Sequence, residues 1–128
     1  MRILVLDDRR EFAQFVALKL KRNFGLEAET CYTVETALES LKRDSYDVVI
    51  SDLQIGFDDA YGLMAGVKYM AAEGYFKVLP RFAALTSHGD QADHLLEAGF
   101  EVVWGKDHSH EESFIASLDG FLFQSVVD

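Results

Sequence analysis

Short, unbroken runs of branched apolar residues alternate with helix-patterned segments along the whole chain, and that alternation restricts the fold more than any other feature. Ile3-Leu4-Val5-Leu6 and Val48-Val49-Ile50 offer no polar side chain to water, as strands buried on both faces require. Leu26 to Cys31 is a weaker, alternating strand. Phe82-Ala83-Ala84-Leu85, following Pro80, and Val102-Val103-Trp104 complete the set. Between them the period changes. Phe12, Phe15, Val16 and Leu20 recur at helical spacing, and Thr33 to Lys42 places Ala37, Leu38 and Leu41 on one face with Thr33 as N-cap. Leu63 to Ala72 reads as a helix stopped by Gly74, and a short helix from about Gln91 to Ala98 ends at Gly99. Ser109-His110-Glu111-Glu112 has capping-box spacing ahead of a stripe of Phe114, Ile115, Leu118, Phe121 and Leu122. Five β units with five helices predict an α/β fold, a parallel sheet covered by helices on both sides.

A length of 128 residues fits one domain, spanning 1–128, with enough surface to bury for a self-sufficient core. Apolar residues at 49% and charged residues at 27% place the chain among folded globules rather than disordered segments. The formal net charge of −10 argues against nucleic acid and anionic lipid as partners, because both demand a cationic patch. The single cysteine, Cys31, cannot form an internal disulfide and reads as a buried packing thiol. Only four apolar residues separate Met1-Arg2 from Asp7-Asp8, too few for a signal peptide or a membrane span, so the expected compartment is the cytoplasm.

In an open parallel sheet, ligands bind beyond the carboxyl ends of the strands. Strand one there delivers Asp7 and Asp8, and strand three delivers Asp52. Strand four delivers Thr86 and then Ser87, and strand five delivers Lys106, two residues past Trp104. Each has an ordinary reading when taken singly: Asp8 as a helix cap, Thr86 as a loop hydroxyl, Lys106 as a solvated charge. Jointly those readings leave like charges crowded at one sheet edge. A hard divalent cation that takes oxygen ligands removes the conflict, and Mg²⁺ needs only a few protein carboxylates plus waters. Asp52 can then act as the nucleophile toward a phosphoryl donor, with Lys106 neutralising a phosphoryl oxygen and the Thr86 hydroxyl donating to the attached group.

These residues resemble the receiver domain of two-component response regulators. The pattern consists of the acidic pair Asp7-Asp8, Asp52 after Asp47-Val-Val-Ile-Ser, Thr86 in Ala84-Leu-Thr-Ser, and Lys106, which stands seven residues after the Gly99 of Leu96-Glu-Ala-Gly-Phe. The resemblance covers essentially the whole chain. It implies a flavodoxin-like, doubly wound sheet in the order 2-1-3-4-5, as in chemotaxis regulators. It also implies Mg²⁺ as cofactor and phosphorylation of Asp52 by a histidine kinase or phosphotransfer protein. By the same carry-over Asp8 and Asp52 bind the metal directly, Asp7 through water, and the Gln54 backbone carbonyl is a third protein ligand. Such a domain is a switch that promotes only its own phosphorylation and dephosphorylation, not an enzyme acting on a separate substrate.

The chain departs from the family's pattern in four places. Gly56 stands where a proline usually follows the acceptor, and the loop Ile55 to Tyr61 is longer, with Asp58 and Asp59 in it read as solvated. Asp107 replaces the proline after Lys106. The short interval from Thr86 to Gly99 implies a trimmed fourth helix. Val103 occupies the place of the switch aromatic coupled to Thr86, and Trp104, on the opposite side of the strand by alternation, is no substitute. The expected chemistry is therefore intact while the readout is atypical. Gln54 and His88 occupy places that flank the hydrolytic water in the family.

The leading alternative is a pseudo-receiver, a protein-interaction module that is never phosphorylated. Its candidate exposed apolar residues are Phe57, Tyr61, Tyr75 and Phe76. A haloacid-dehalogenase-type phosphatase would need Asp-x-Asp after strand one, where Asp7-Asp8-Arg9 places an arginine. A flavin carrier would cradle phosphate in the first loop, which Asp7-Asp8 would repel.

Overall fold

The computed structural model describes residues 1–52, 59–86, 92–105 and 111–123. Strands and helices alternate strictly: β1 (Ile3–Leu6), α1 (Arg10–Phe24), β2 (Ala28–Cys31), α2 (Val34–Arg43), β3 (Val48–Asp52), α3 (Asp59–Ala72), β4 (Arg81–Thr86), α4 (Ala92–Ala98), β5 (Val102–Gly105) and α5 (Glu111–Phe123). All pairings are parallel, and the sheet runs β2-β1-β3-β4-β5. This is the expected five-stranded order, with β1 at a switch point from which the chain winds first one way and then the other.

Alternation along each strand divides the core in two. Ile3, Val5, Val48, Ile50, Ala83 and Leu85 point to the face covered by α1 and α5. Leu4, Leu6, Val49, Phe82 and Ala84 point to the face covered by α2, α3 and α4. Because both faces are covered, no residue of β1 or of Val48–Ile50 needs to be polar. Each fully buried Leu, Ile or Val contributes about 1.5–3 kcal/mol relative to exposure. α1 meets the sheet through Ala13, Val16 and Leu20, one narrow stripe at helical spacing.

The helix ends follow from local chemistry. The Thr33 hydroxyl accepts the Thr36 N–H at 3.1 Å, the cap expected at the start of α2. Gly74 (φ 82°) follows α3 in the left-handed region. β3 and β4 run further than their apolar cores, through Ser51-Asp52 and through Thr86, because ladder pairing continues past the last branched residue. α4 is described over Ala92–Ala98, and Gln91, where the sequence places its start, lies outside the described residues. The capping-box residues Ser109 and His110 lie outside the described residues. Among the described residues, no helix is long and apolar enough to cross a membrane.

Candidate functional site

Strand register decides which side chains meet at the carboxyl end of the sheet. Leu6 pairs with Ser51 and Asp52 with Leu85, so Asp7 comes level with Asp52, and Thr86 stands one residue further along β4, paired with Gly105. The buried polar or charged side chains among the described residues are Asp7, Ser51, Asp52 and Thr86. All of them lie at the ends of β1, β3 and β4. Among the described residues, these buried polar side chains concentrate at one edge groups that are costly to desolvate, and such a concentration marks a candidate site.

Backbone geometry locks Asp7 in place. Its N–H donates to the Cys31 carbonyl at 3.1 Å, tying it to the end of β2, and its Oδ1 accepts the Arg9 N–H at 2.9 Å. The N-cap of α1 is Arg9, whose side chain makes no capping hydrogen bond. Asp8 is therefore not the cap of α1, which removes its ordinary reading; it is exposed beside the two buried carboxylates.

One carboxylate oxygen from each of Asp7, Asp8 and Asp52 lies within 4.8 Å of the others. Two oxygens sharing one Mg²⁺ are at most about 4.2 Å apart, and two sharing Ca²⁺ about 5 Å. The trio thus fits a hard divalent ion after adjustments below an ångström. All three donors are anionic oxygens, the ligand type such ions take, and no softer donor is needed from Cys31. Burial first, and the Glu29 charge second, push that thiol up to about 12, and its Sγ–H donates to the Val5 carbonyl at 3.7 Å. It is the packing thiol expected.

The structure thus brings together Asp7, Asp8, Asp52 and Thr86. Gln54 and Lys106 lie outside the described residues, as do Gly56, Phe57, Asp58, Ser87, His88 and Asp107. Ser51 is the residue that sequence reasoning passed over. Its hydroxyl, 3.5 Å from the Asp52 carbonyl oxygen, is buried beside Asp52. The signal was a serine at the end of a run otherwise entirely apolar.

On β5 the two residues of interest part company. Val103 is half-buried against the α2–α3–α4 side of the core. Trp104 lies on the other face, edge-on to Phe114 and Phe121 of α5 at 6.0 and 5.6 Å between ring centroids. Alternation placed both as expected.

No family model matches the sequence, and no curated protein matches it. Solved structures do. Over 95% of both chains, a response regulator receiver domain (CheY-like) from Methylobacillus flagellatus superposes with a TM-score of 0.76 at 21% identity. The Francisella response regulator 1452 receiver domain gives 0.72 at 21% identity, covering 92% of this chain and 93% of its own. A response regulator from Burkholderia pseudomallei, solved with a phosphorylated aspartic acid, calcium ion and citrate, gives 0.71 at 23% identity, covering 91% of this chain and 65% of its own. The fold is that of response regulator receiver domains.

Proposed function

We propose that this chain, whose fold is that of receiver domains, is a phosphorylation-dependent signalling switch in which Asp52 accepts the phosphoryl group. The observation that carries the reading is the placement of a buried Asp52 within 4.8 Å of both Asp7 and Asp8, at the edge where the sheet can admit a ligand.

Asp8 and Asp52 would hold Mg²⁺ directly, with Asp7 acting through water and the Gln54 backbone carbonyl as a further ligand. When bound, the ion supplies positive charge between the carboxylates and the incoming phosphoryl oxygens. The chain's own residues do the rest. An Asp52 carboxylate oxygen attacks the phosphorus of a phosphohistidine on a kinase or phosphotransfer protein. The P–N bond breaks, its electron pair stays on the imidazole, and an acyl phosphate forms on Asp52. Asp7, tethered to Cys31 and Arg9, keeps its position throughout. The Thr86 hydroxyl donates to one phosphoryl oxygen, and the Lys106 ammonium neutralises another. The domain modifies only itself, works in the cytoplasm and binds no nucleic acid.

The readout departs from the family. Drawing Thr86 toward the phosphoryl group biases the end of β4, but Val103 has no ring to swing into the space vacated. The surface of α4, β5 and α5 therefore changes less than an aromatic switch would make it change.

Mass spectrometry after incubation with a small phosphodonor and Mg²⁺ tests the reading. One phosphoryl adduct is expected on Asp52, not formed when Mg²⁺ is chelated before the donor is added and absent from Asp52→Asn. Absence of an adduct would leave the pseudo-receiver reading in its place, and an adduct elsewhere would overturn Asp52 as the acceptor.

A further inference from the structure

The single tryptophan of the chain closes the apolar run of β5, directly before Gly105 and two residues before Lys106. Alternation turns its side chain to the face covered by α5. There the half-buried indole meets two rings edge-on, Phe114 at 6.0 Å and Phe121 at 5.6 Å between centroids. Phe114 and Phe121, about two helical turns apart, share one face of α5 with the buried Leu118 between them. Trp104 is thus a knob set against successive turns of one helix. In a core packed at native density, such a ring cannot shift with its strand without carrying the helix along.

Phe121 is also held from the amino end of the sheet. The Arg81 guanidinium, at the start of β4, lies 4.3 Å from the centroid of the Phe121 ring. Glu101 fixes Arg81 in turn, accepting its Nε–H at 3.0 Å and pairing with a terminal nitrogen. α5 therefore has one anchored contact, at Arg81, and one contact that follows β5, at Trp104. The other face of β5 is built differently. Val103 there is a short, β-branched side chain with little rotamer freedom, packed on the side of the core that α4 covers.

We infer that α5, levered by Trp104, is the element that reports the state of the carboxylate edge. The inference rests on the reading of Asp52 as the phosphoryl acceptor. Thr86 pairs with Gly105, so the ends of β4 and β5 lie side by side. Drawing the Thr86 hydroxyl and the Lys106 ammonium toward phosphoryl oxygens pulls both ends at once. Trp104, next along β5, moves with them, and α5 turns about the contact between Phe121 and Arg81. α4, on the Val103 side, has no ring to follow and keeps its place. Closely packed elements have few alternative arrangements, so a small pull becomes a discrete change.

Hydrogen exchange of the intact chain with Mg²⁺, with and without beryllofluoride as phosphoryl mimic, tests this, with the Asp52 adduct from a small phosphodonor measured in parallel. In the parent, the mimic should change exchange across α5 by about twofold or more, and across α4 by less. The emission of Trp104 should change over the same range of mimic concentration, and Asp52→Asn should abolish both signals. Trp104→Leu should lose most of the α5 response while still forming the adduct. Phe121→Leu, which keeps the tryptophan, should lose it too and covers the case in which Trp104→Leu folds poorly. Val103→Ala should leave the response intact. An adduct with α5 unchanged, with α4 changing more, or with the α5 response surviving both ring variants would overturn the inference and leave the acceptor reading standing. No adduct in the parent would overturn both.

Discussion

Asp7 and Asp52 stand side by side at the ends of adjacent parallel strands because Leu6 pairs with Ser51. Two carboxylates far apart in the chain are thereby buried at one edge, with the exposed Asp8 close by. Register is what makes the pairing robust, since a slip of one residue would turn every side chain of β3 to the opposite face.

Mg²⁺ should stabilise the folded chain through this trio. At an ion concentration about tenfold above its dissociation constant, linkage contributes about 1.4 kcal/mol, equivalent to a rise in Tm of several degrees. Calorimetry with and without Mg²⁺ should show the rise in the parent chain and little or none in Asp8→Asn and Asp52→Asn. Equal rises in all three would place the ion elsewhere.

Acid should weaken a second cluster at the opposite end of the sheet. The Tyr46 hydroxyl donates to Glu29 at 2.5 Å, and the Arg2 guanidinium, 4.8 Å from the Tyr46 ring centroid, donates to the other Glu29 oxygen at 2.6 Å. The Tyr46 hydrogen bond first, and Arg2 second, hold Glu29 below its ordinary 4.5. A carboxylate with a lowered folded value stabilises fully above the unfolded one, and that contribution is lost as pH falls through the folded value. Glu29→Gln should therefore cost about 1 kcal/mol or less at neutral pH, because the pair is half exposed, and less at an acidic pH below the ordinary carboxylate value. Urea melts at the two pH values measure the difference. A penalty that persists in acid would mean that Glu29 acts through packing.

Cys31 should resist alkylation while the chain is folded. With the thiol held up at about 12 and the side chain buried, little thiolate forms near neutral pH. Iodoacetamide should label the native chain at least about a hundredfold more slowly than the urea-unfolded one. Comparable rates would mean that β2 opens readily.

Gly99 should not tolerate a side chain. Its φ of 125° lies where L-residues are strained, and an added Cβ would meet the Met64 Cε at 2.8 Å. Gly99→Ala should destabilise by about 1–3 kcal/mol. Since the Met64 methyl can move, most of the loss should persist in a Met64→Ala background, measured by a double-mutant cycle. Full recovery there would assign the effect to contact rather than to the backbone.

The elements were legible because their signals are local. Four apolar residues in a row at Ile3–Leu6 require a strand with two covered faces, and Thr33 requires only its own hydroxyl and a nearby N–H to start α2. Alternation alone put Val103 and Trp104 on opposite faces of β5. What escaped notice depends on neighbours remote in sequence. Ser51 reads as a strand terminus until β1 and β4 cover it, and the hydrogen bond from Asp7 to Cys31 needs β2 to be laid beside β1. The exposure of Val78 and Leu79 was equally hidden, since apolar residues after Gly74 could have been core.

By itself, then, the order of residues determined the kind of each element, the alternation that makes a parallel sheet, and the edge at which Asp7, Asp8, Asp52 and Thr86 would emerge. Those properties follow from periodicity and strand direction, which neighbouring residues in the chain define. Only the tertiary structure decided that three carboxylates share a space 4.8 Å across, that Asp8 is not the cap of α1, and that the α3–β4 connection shows apolar side chains to solvent. Distance and burial are set by how strands pair and which helices cover them, and no stretch of sequence contains its own partners.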